Sequence, residues 1–345
     1  MSSASKSLYA AIMLFAALVV IGGKCPSLGR HFIAEGSGGD DVGELYQMSQ
    51  LDRFREEIPV LRPQPTAGME EAEVLTLGDS FFNSTLGSQL FATELARRSG
   101  LRVCNLQSQT FPEPQTFPLS FLESIGYRGD RRRVLILESV ERYALKRSGH
   151  YNATAGASQG FLNAVYNKVV DNSDLEYFFK NNVLVYPLAK WLKNFRFAHF
   201  RMMDRSIGAY SEHPDMLFYS EDLDFAAQRK NDDMLESAAR DIATLSEHLK
   251  RRFDLDLIYV IVPNKYSIYH RYVGNGYSYD GFIPRLSKKL TAYGVRNVNL
   301  YSLYSRYDKS GPLLYYATDT HYTPLGKRLL VDACLKTLEA ARQGD

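Results

Sequence analysis

Ser80 stands where a serine hydroxyl can act as a nucleophile. It follows Gly78 and Asp79 directly after the short apolar run 74–77, and a helix pattern follows at 88–99. In an α/β fold, a strand-to-helix turn of this kind lies at the carboxyl edge of the sheet, where such folds place their sites. Gly78 allows a tight turn, and the Ser80 backbone N–H beside a helix N-terminus can hold an oxyanion. Gly-Asp-Ser alone is also found in ordinary turns and helix caps.

Asp319 and His321 are the candidates for completing such a site. A serine hydroxyl needs a histidine base, and that histidine needs a carboxylate to orient it. Among the seven histidines, His321 precedes a helix start marked by Thr323 and Pro324. Residues i and i+2 of an extended segment point to one side, so we expect Asp319 to bind His321 Nδ1 and leave Nε2 for Ser80. The alternative is that the pair are only polar residues of a capped loop.

Strand and helix patterns alternate between these segments, which predicts an α/β fold with a mostly parallel sheet and helices on both faces. Residues 143–221 interrupt the alternation with aromatic and basic residues, and we interpret them as a helical insertion or lid. The predicted strands are 74–77, 101–106, 134–137, 255–262 and 295–300, and the predicted helices are 44–57, 88–99, 222–252, 282–293 and 324–342.

The N-terminus predicts export. Lys6 precedes an uncharged apolar run, residues 8–23, and no A-x-A cleavage site follows it. The run is slightly shorter than the roughly 20 residues of a membrane span, and it favours an uncleaved signal anchor with Lys6 inside. A cleaved signal peptide is the alternative. The predicted organisation is a signal anchor at 1–23, a stem with a short helix at 24–69, and one domain at 70–345.

Neither the charge nor the cysteines point to a nucleic-acid partner or a metal site. The formal net charge is +2, so nothing in the balance demands nucleic acid as a partner. Cys25, Cys104 and Cys334 match no metal-ligand spacing, and we predict buried free thiols for the latter two. No metal and no other cofactor is predicted.

Four segments together resemble a known family. They are Gly-Asp-Ser-Phe at 78–81, Glu-Ser-Val-Glu-Arg at 138–142, Pro-Asn-Lys-Tyr-Ser-Ile-Tyr at 263–269, and Tyr-Tyr-Ala-Thr-Asp-Thr-His-Tyr-Thr-Pro-Leu-Gly at 315–326. The chain from about residue 70 to 340 resembles the SGNH hydrolase superfamily, and within it the DHHW-type branch related to the alginate O-acetylation proteins J and X. The resemblance implies a three-layer sandwich with Ser80 as nucleophile, His321 as base and Asp319 as its orienting acid, while Asp79 belongs to the turn.

The resemblance also implies a cellular location: the enzyme would be anchored to the inner membrane and act in the periplasm. There a membrane-bound O-acyltransferase supplies acetyl groups, and an SGNH protein places them on polysaccharide hydroxyls. In the alginate proteins, by contrast, the Asp-x-His precedes the serine. The superfamily's oxyanion glycine also has no clear counterpart, because residues 105–109 offer none.

The second oxyanion donor therefore stays open. We consider a backbone N–H of residues 107–109 or Arg142 as this donor. The candidates for oxyanion or substrate contacts are Gln107, Arg142, Tyr322 and Lys265. Arg142 is equally interpretable as a structural partner of Glu138 or Glu141, and Lys265 as a salt-bridge partner in a loop. Three functions fit: an O-acetyltransferase acting on an exopolysaccharide, a carbohydrate acetyl-esterase with the same triad, and a non-catalytic polysaccharide-binding component of an export complex.

Overall fold

The computed structural model describes residues 3–25, 27, 30–34, 42–108, 111, 113–153, 178–274, 276–307 and 311–343. Seven strands are found in these ranges: Val74–Leu77 (β1), Val103–Asn105 (β2), Arg133–Val140 (β3), Ile207–Glu212 (β4), Asp215–Tyr219 (β5), Leu255–Val262 (β6) and Arg296–Asn299 (β7). The α-helices are Ser3–Lys24 (α1), Glu44–Ser49 (α2), Ser80–Asn83 (α3), Phe91–Ser99 (α4), Pro118–Ser124 (α5), Glu141–Ser148 (α6), Val185–Phe200 (α7), Ser220–Ala227 (α8), Asp232–Phe253 (α9), Lys265–Tyr269 (α10), Phe282–Ala292 (α11), Leu300–Tyr304 (α12) and Pro324–Gln343 (α13).

Five of the strands form one parallel sheet in the order β2-β1-β3-β6-β7. From β1 the chain continues to β2 on one side and later to β3 on the other. The carboxyl end of β1 is therefore a topological switch point, the place where open α/β sheets bind their ligands. Ser80 lies there, since it begins α3 two residues beyond Gly78.

Alternate residues of the central strands face two separate hydrophobic cores. Leu75, Leu135 and Leu257 belong to the core that contains residues of α9 and α11. Val74 and Ile136 belong to the core that contains residues of α4 and α13. Both faces of the sheet are thus covered, which explains why the strands are nearly continuous apolar runs. The predicted α/β class with a mostly parallel sheet is confirmed.

The boundaries predicted for β1 and β6 agree with the structure, and β3 is longer than expected. The predicted helix 222–252 is two helices, because α8 ends at Ala227 and a new helix begins after Asn231, whose Oδ1 accepts the Met234 N–H at 2.9 Å as the N-cap of α9. The antiparallel hairpin of β4 and β5 was not predicted. Cys104 and Cys334 are buried free thiols, as expected.

The chain divides into two compact units. The smaller unit comprises Met1–Asp40, Ser49–Asp52 and Gly156–Asp204, and the larger comprises Asp41–Met48, Arg53–Ala155 and Arg205–Asp345. Both the predicted stem and the predicted insertion contribute residues to each unit. In the smaller unit, α1 contains Ser5–Gly22, a stretch of 18 residues with mean hydropathy 1.9 that is long and apolar enough to cross a membrane. A signal sequence meets the same criteria.

Candidate active site

The turn after β1 presents the Ser80 side chain to solvent. Ser80 is exposed, whereas Phe81 and Phe82, which follow it, are buried in the core beneath the turn. Ser80 is the first residue of α3, so its backbone N–H has no carbonyl partner within the helix. A side chain at position 78 would collide with Glu138, because a Cβ there would lie 2.7 Å from Glu138 Oε2. Gly78 is therefore needed for close approach rather than for backbone freedom.

Asp79 holds the turn in place. Its Oδ1 accepts the Phe81 N–H at 3.0 Å, and its Oδ2 pairs with Arg147 Nη1 at 2.9 Å. Its own N–H donates to Glu138 Oε2 at 2.8 Å. Burial and the neighbouring charge of Asp79 raise the pKa of Glu138 well above its ordinary range. Asp79 is therefore committed to the turn and is not free to orient a histidine.

We expect Arg147→Met to destabilise the protein by about 3 kcal/mol, because it leaves the Asp79 carboxylate largely buried without its cation. The measurement is urea unfolding at pH 7. Arg97→Met is the matched control: Arg97 is 70% exposed and pairs with Glu94 on a helix surface, so its loss should cost less than about 1 kcal/mol. Equal losses for the two variants would contradict the structural role of Arg147.

A turn between two short paired segments carries Asp319 and His321. The backbones at Tyr315 and Tyr322 form an antiparallel bridge, and Tyr316 N–H donates to the His321 carbonyl at 3.1 Å. Asp319 Oδ1 accepts both the His321 N–H at 2.8 Å and His321 Nδ1 at 2.6 Å. The predicted contact between the two side chains is present, but a turn produces it and not an extended segment.

Asp319 and His321 set each other's protonation. Burial opposes ionisation of Asp319, but the hydrogen bond and charge of His321 and the N–H of Glu44 lower its pKa to about 2. Burial also favours the neutral imidazole, but Asp319, with smaller contributions from Glu44 and Asp79, raises the pKa of His321 above 6.5. Because Nδ1 donates to Asp319, the neutral ring keeps its lone pair on Nε2, which is the arrangement a general base needs.

The N-terminal part of the larger unit supports this turn. Glu44 N–H donates to Asp319 Oδ2 at 2.6 Å, and the Glu56 carboxylate accepts from Thr318 N and Oγ1, each at 3.1 Å. Gly43 packs against the Thr318 carbonyl so closely that a Cβ would lie 2.2 Å from its oxygen. Residues predicted to belong to the stem and short helix thus hold the turn, with Glu44 bonded to the acid itself and Glu56 to the neighbouring Thr318. No local motif identifies them, because they lie far away in sequence.

Aromatic contacts bring the base beside the nucleophile turn. The His321 ring packs on Phe81, the residue after Ser80, with centroids 5.0 Å apart. The Tyr322 hydroxyl donates to the Phe81 carbonyl. His321 Nε2 is buried and has no hydrogen-bond partner in the described part of the chain, so it is not bonded to Ser80 in this state. Catalytic hydrogen bonds are often formed only when substrate is bound.

We expect Tyr322→Phe to destabilise the protein by about 1–3 kcal/mol, because the Phe81 carbonyl loses its buried donor. Tyr293→Phe, at a partly exposed hydroxyl that donates to Glu236, should change stability by less than about 0.5 kcal/mol. Urea unfolding of both variants measures this. If Tyr322 instead donated to an oxyanion, stability would be kept and kcat would fall about 10²–10³-fold.

Lys265 and Arg142, two of the candidates for oxyanion or substrate contacts, are bonded to other parts of the fold. Lys265 is buried, and its Nζ donates to the carbonyls of Ala317 and Asp319 at 2.8 and 3.2 Å; burial lowers its pKa to about 7. Arg142 pairs with Asp222 at 3.1 Å, and neither Glu138 nor Glu141 is its partner. Lys265 therefore positions the acid's loop through its backbone, which was not foreseen, and Arg142 fixes α8 to α6.

An amide network lies beside Ser80 at the carboxyl end of β2. Asn83 Nδ2 donates to the Gly78 carbonyl at 3.0 Å, and Asn83 Oδ1 accepts from Asn105 Nδ2 at 3.0 Å and from Gln107 Nε2. Gln107 is exposed, so its amide can turn from Asn83 toward a substrate oxygen. Gln107 was predicted as a site residue from the sequence, whereas Asn83 and Asn105 were not, although Asn105 ends a strand next to β1. Gln109 lies outside the described residues.

Glu44, Asp319 and His321 also form a cluster of potential metal ligands, with one ligand atom of each within 4.8 Å of the others. His321 Nδ1 and both carboxylate oxygens of Asp319 already take part in hydrogen bonds within this group. Hydrogen bonding between an acid, a base and a supporting backbone N–H is thus sufficient to explain the cluster.

Comparison with known proteins finds a family match in the C-terminal part of the chain. Residues 213–344 match the family model described as SGNH hydrolase-like domain, acetyltransferase AlgX. The matched region contains Lys265, Asp319, His321 and Tyr322 but not the Ser80 turn. No curated protein and no solved structure matches the chain significantly. The match and the sheet topology agree with the resemblance seen in the sequence, and they support an acyl-transfer function at the level of class.

Proposed function

We propose that this chain, whose residues 213–344 match the model of an SGNH hydrolase-like domain of acetyltransferase AlgX, is an exported O-acetyltransferase that modifies an exopolysaccharide through an acetyl-enzyme on Ser80. The observation that carries the proposal is the Asp319–His321 pair, hydrogen-bonded at 2.6 Å, with Nε2 unpartnered within the described residues beside the exposed Ser80 turn. An orienting acid, a base with a free lone pair and an accessible hydroxyl are the parts that acyl transfer requires.

In the first half-reaction, Ser80 Oγ attacks the carbonyl carbon of an acetyl donor while His321 Nε2 takes the hydroxyl proton. The resulting oxyanion is held by the Ser80 backbone N–H and by the Gln107 amide, which we propose as the second donor. Collapse of the tetrahedral intermediate breaks the bond to the donor's leaving oxygen, and His321 returns the proton to that oxygen. Acetyl-Ser80 and the deacetylated donor remain.

In the second half-reaction, a sugar hydroxyl gives its proton to His321 Nε2 as its oxygen attacks the acetyl carbonyl. Collapse forms the sugar ester, breaks the bond to Ser80 Oγ, and returns the proton from His321 to Ser80. Asp319 stabilises the imidazolium in both steps, and because its pKa is about 2 it stays ionised throughout the neutral range.

Export and anchoring are part of the proposal. The apolar helix α1 is only 6% buried over Ser5–Gly22, which suits a segment inserted in a bilayer, and Lys6 favours the short N-terminal end inside. The catalytic residues would then act in the periplasm, where acetyl donors reach them through a membrane-bound O-acyltransferase. A signal peptide is the alternative for α1.

Hydrolysis is the second candidate activity, and the exposure of Ser80 favours it, because water reaches the acetyl-enzyme as readily as a sugar does. The two activities are separated by incubating the protein with an acetyl ester and an oligosaccharide acceptor and measuring both products. Acetylated sugar in excess of free acetate supports the transferase, and acetate alone supports the esterase. If neither product forms, the catalytic proposal fails and a binding role is favoured.

The pH dependence of the reaction follows from His321. The base must be neutral, and its pKa is raised above 6.5, so kcat/KM should fall on acidification with a midpoint above pH 6.5. Glu44→Gln removes one of the charges that raise the pKa and should move this midpoint down. The measurement is the rate of acetyl ester hydrolysis between about pH 5 and 9. A profile that stays flat through this range would contradict a histidine base.

A further inference from the structure

The smaller unit exposes a concentrated apolar face. Between Phe179 and Met202, nine large hydrophobic side chains are exposed, whereas the rest of the described residues outside α1 contain five. On α7 and the residue before it, the exposed positions Leu184, Leu188, Trp191 and Phe195 recur at helical spacing, at 61%, 65%, 60% and 41% exposure. This spacing forms one stripe along the helix, and apolar patches of this kind mark interaction surfaces.

The stripe is fixed to the apolar helix α1. Phe178 packs against Gly22, where a Cβ would lie 2.2 Å from its ring, and the rings of Phe179 and Phe15 are 5.9 Å apart. Phe15 is seven residues before Gly22, which corresponds to about 10 Å along a helix. If α1 occupies a bilayer, Phe179 lies roughly 10 Å inside its end, at the depth where interfacial helices insert their apolar side chains.

Backbone hydrogen bonds make this attachment rigid. Ala34 N–H donates to the Asn181 carbonyl and Val183 N–H to the Phe32 carbonyl, each at 2.8 Å. Asn182 is fully buried, and its Oδ1 accepts the N–H groups of Leu184 and Val185, each at 3.0 Å. The start of α7 is therefore held next to the segment that follows α1, although about 150 residues separate them in the chain.

The charged residues around the apolar stripe of α7 indicate which kind of surface it contacts. Residues 178–204 contain five lysines and arginines and one acidic residue. Lys190 and Lys193 form ion pairs with Asp52 and Asp204, while Arg196 and Arg201 are exposed. A basic rim around an apolar stripe repels a second copy of itself but attracts anionic lipid headgroups.

We propose that α7 lies in the interface of an anionic bilayer, with Leu184, Leu188, Trp191 and Phe195 in the upper acyl region, and that it forms a second membrane contact beside α1. The inference rests on the anchoring of α1 that belongs to the proposed function. It deepens that function, because a second contact restricts how the chain can pivot about its anchor.

Trp191 is the only tryptophan of the chain, so its fluorescence reports on this helix alone. The test is full-length protein reconstituted in phosphatidylglycerol vesicles whose acyl chains carry bromine near the headgroup or near the terminal methyl. We expect strong quenching by the shallow bromines, weaker quenching by the deep ones, and protection from acrylamide in water. Leu188→Glu should reduce the shallow quenching by roughly half or more, whereas Leu303→Glu, at a 37% exposed residue of the larger unit, should not.

Vesicle flotation and ester hydrolysis, measured on the same samples, show whether the interfacial helix, the membrane anchor or the catalytic proposal is wrong. If the protein floats but Trp191 is not quenched by lipid and stays open to acrylamide, the interfacial helix is refuted and the anchor stands. If the protein does not float, both the anchor and the interfacial helix are refuted, while hydrolysis still reports on catalysis. Protection of Trp191 in native membranes but not in pure lipid would show that a protein covers the face, which also overturns the proposal.

Discussion

Ser80→Ala abolishes acetyl transfer and ester hydrolysis in this account, with a loss of about 10⁴–10⁶-fold in kcat, because no other group replaces the attacking oxygen. Since Ser80 is exposed, the free energy of unfolding should change by less than about 0.5 kcal/mol. The measurements are product formation with an acetyl ester and urea unfolding of the same preparation.

The control for this variant is Ser88→Ala. Ser88 is a partly buried serine of the loop that follows α3, and its hydroxyl makes a long contact of 3.5 Å to the Leu86 carbonyl. Its loss should leave kcat within about twofold of the unmodified protein. If the kcat of Ser80→Ala equals that of Ser88→Ala, Ser80 is not the nucleophile.

Asp319→Asn has the second largest expected effect, a loss of about 10⁴-fold in kcat. The Asp319 carboxylate accepts Glu44 N–H, His321 N–H and His321 Nδ1, whereas an amide has one oxygen and one NH₂ group. An NH₂ group facing His321 would donate to Nδ1, place the ring proton on Nε2 and remove the lone pair that Ser80 needs. The variant should also lower the pKa of His321, because Asp319 is the main charge that raises it.

Asp332→Asn is the matched control for the acid. Asp332 pairs with Arg98 on the surface of α13, and its side chain is 42% exposed, so its neutralisation should leave kcat unchanged. The measurement is the full pH profile of both variants. If Asp319→Asn keeps more than about one tenth of the activity at neutral pH, Asp319 does not orient the base.

Local patterns account for what could be predicted from the sequence. The strands β1 and β6 are apolar runs bounded by turn residues, and the contact between Asp319 and His321 joins residues only two positions apart. Gly78 and Ser80 were recognised because a strand, a glycine and a helix follow one another along the chain. In each case, short-range sequence determines the local geometry.

Contacts between distant residues could not be predicted in this way. Arg147, which pairs with Asp79, is 68 positions away, and Glu44, which donates to Asp319, is 275 positions away. Lys265 was considered as a possible site residue, but only the fold shows that its ammonium holds the carbonyls of the acid's loop. The pairing of side chains across the sheet edge depends on strand order, which periodicity alone does not specify.

The central claim is that Ser80 carries the acetyl group between donor and acceptor. The most direct test is to mix the protein with an acetyl ester, quench in acid within one turnover, and map the modified peptide by mass spectrometry. The account predicts one acetyl group on Ser80 that disappears when an oligosaccharide acceptor is added before the quench. Turnover without acetyl-Ser80, or an acetyl group on a different residue that the acceptor removes at the rate of turnover, would contradict it.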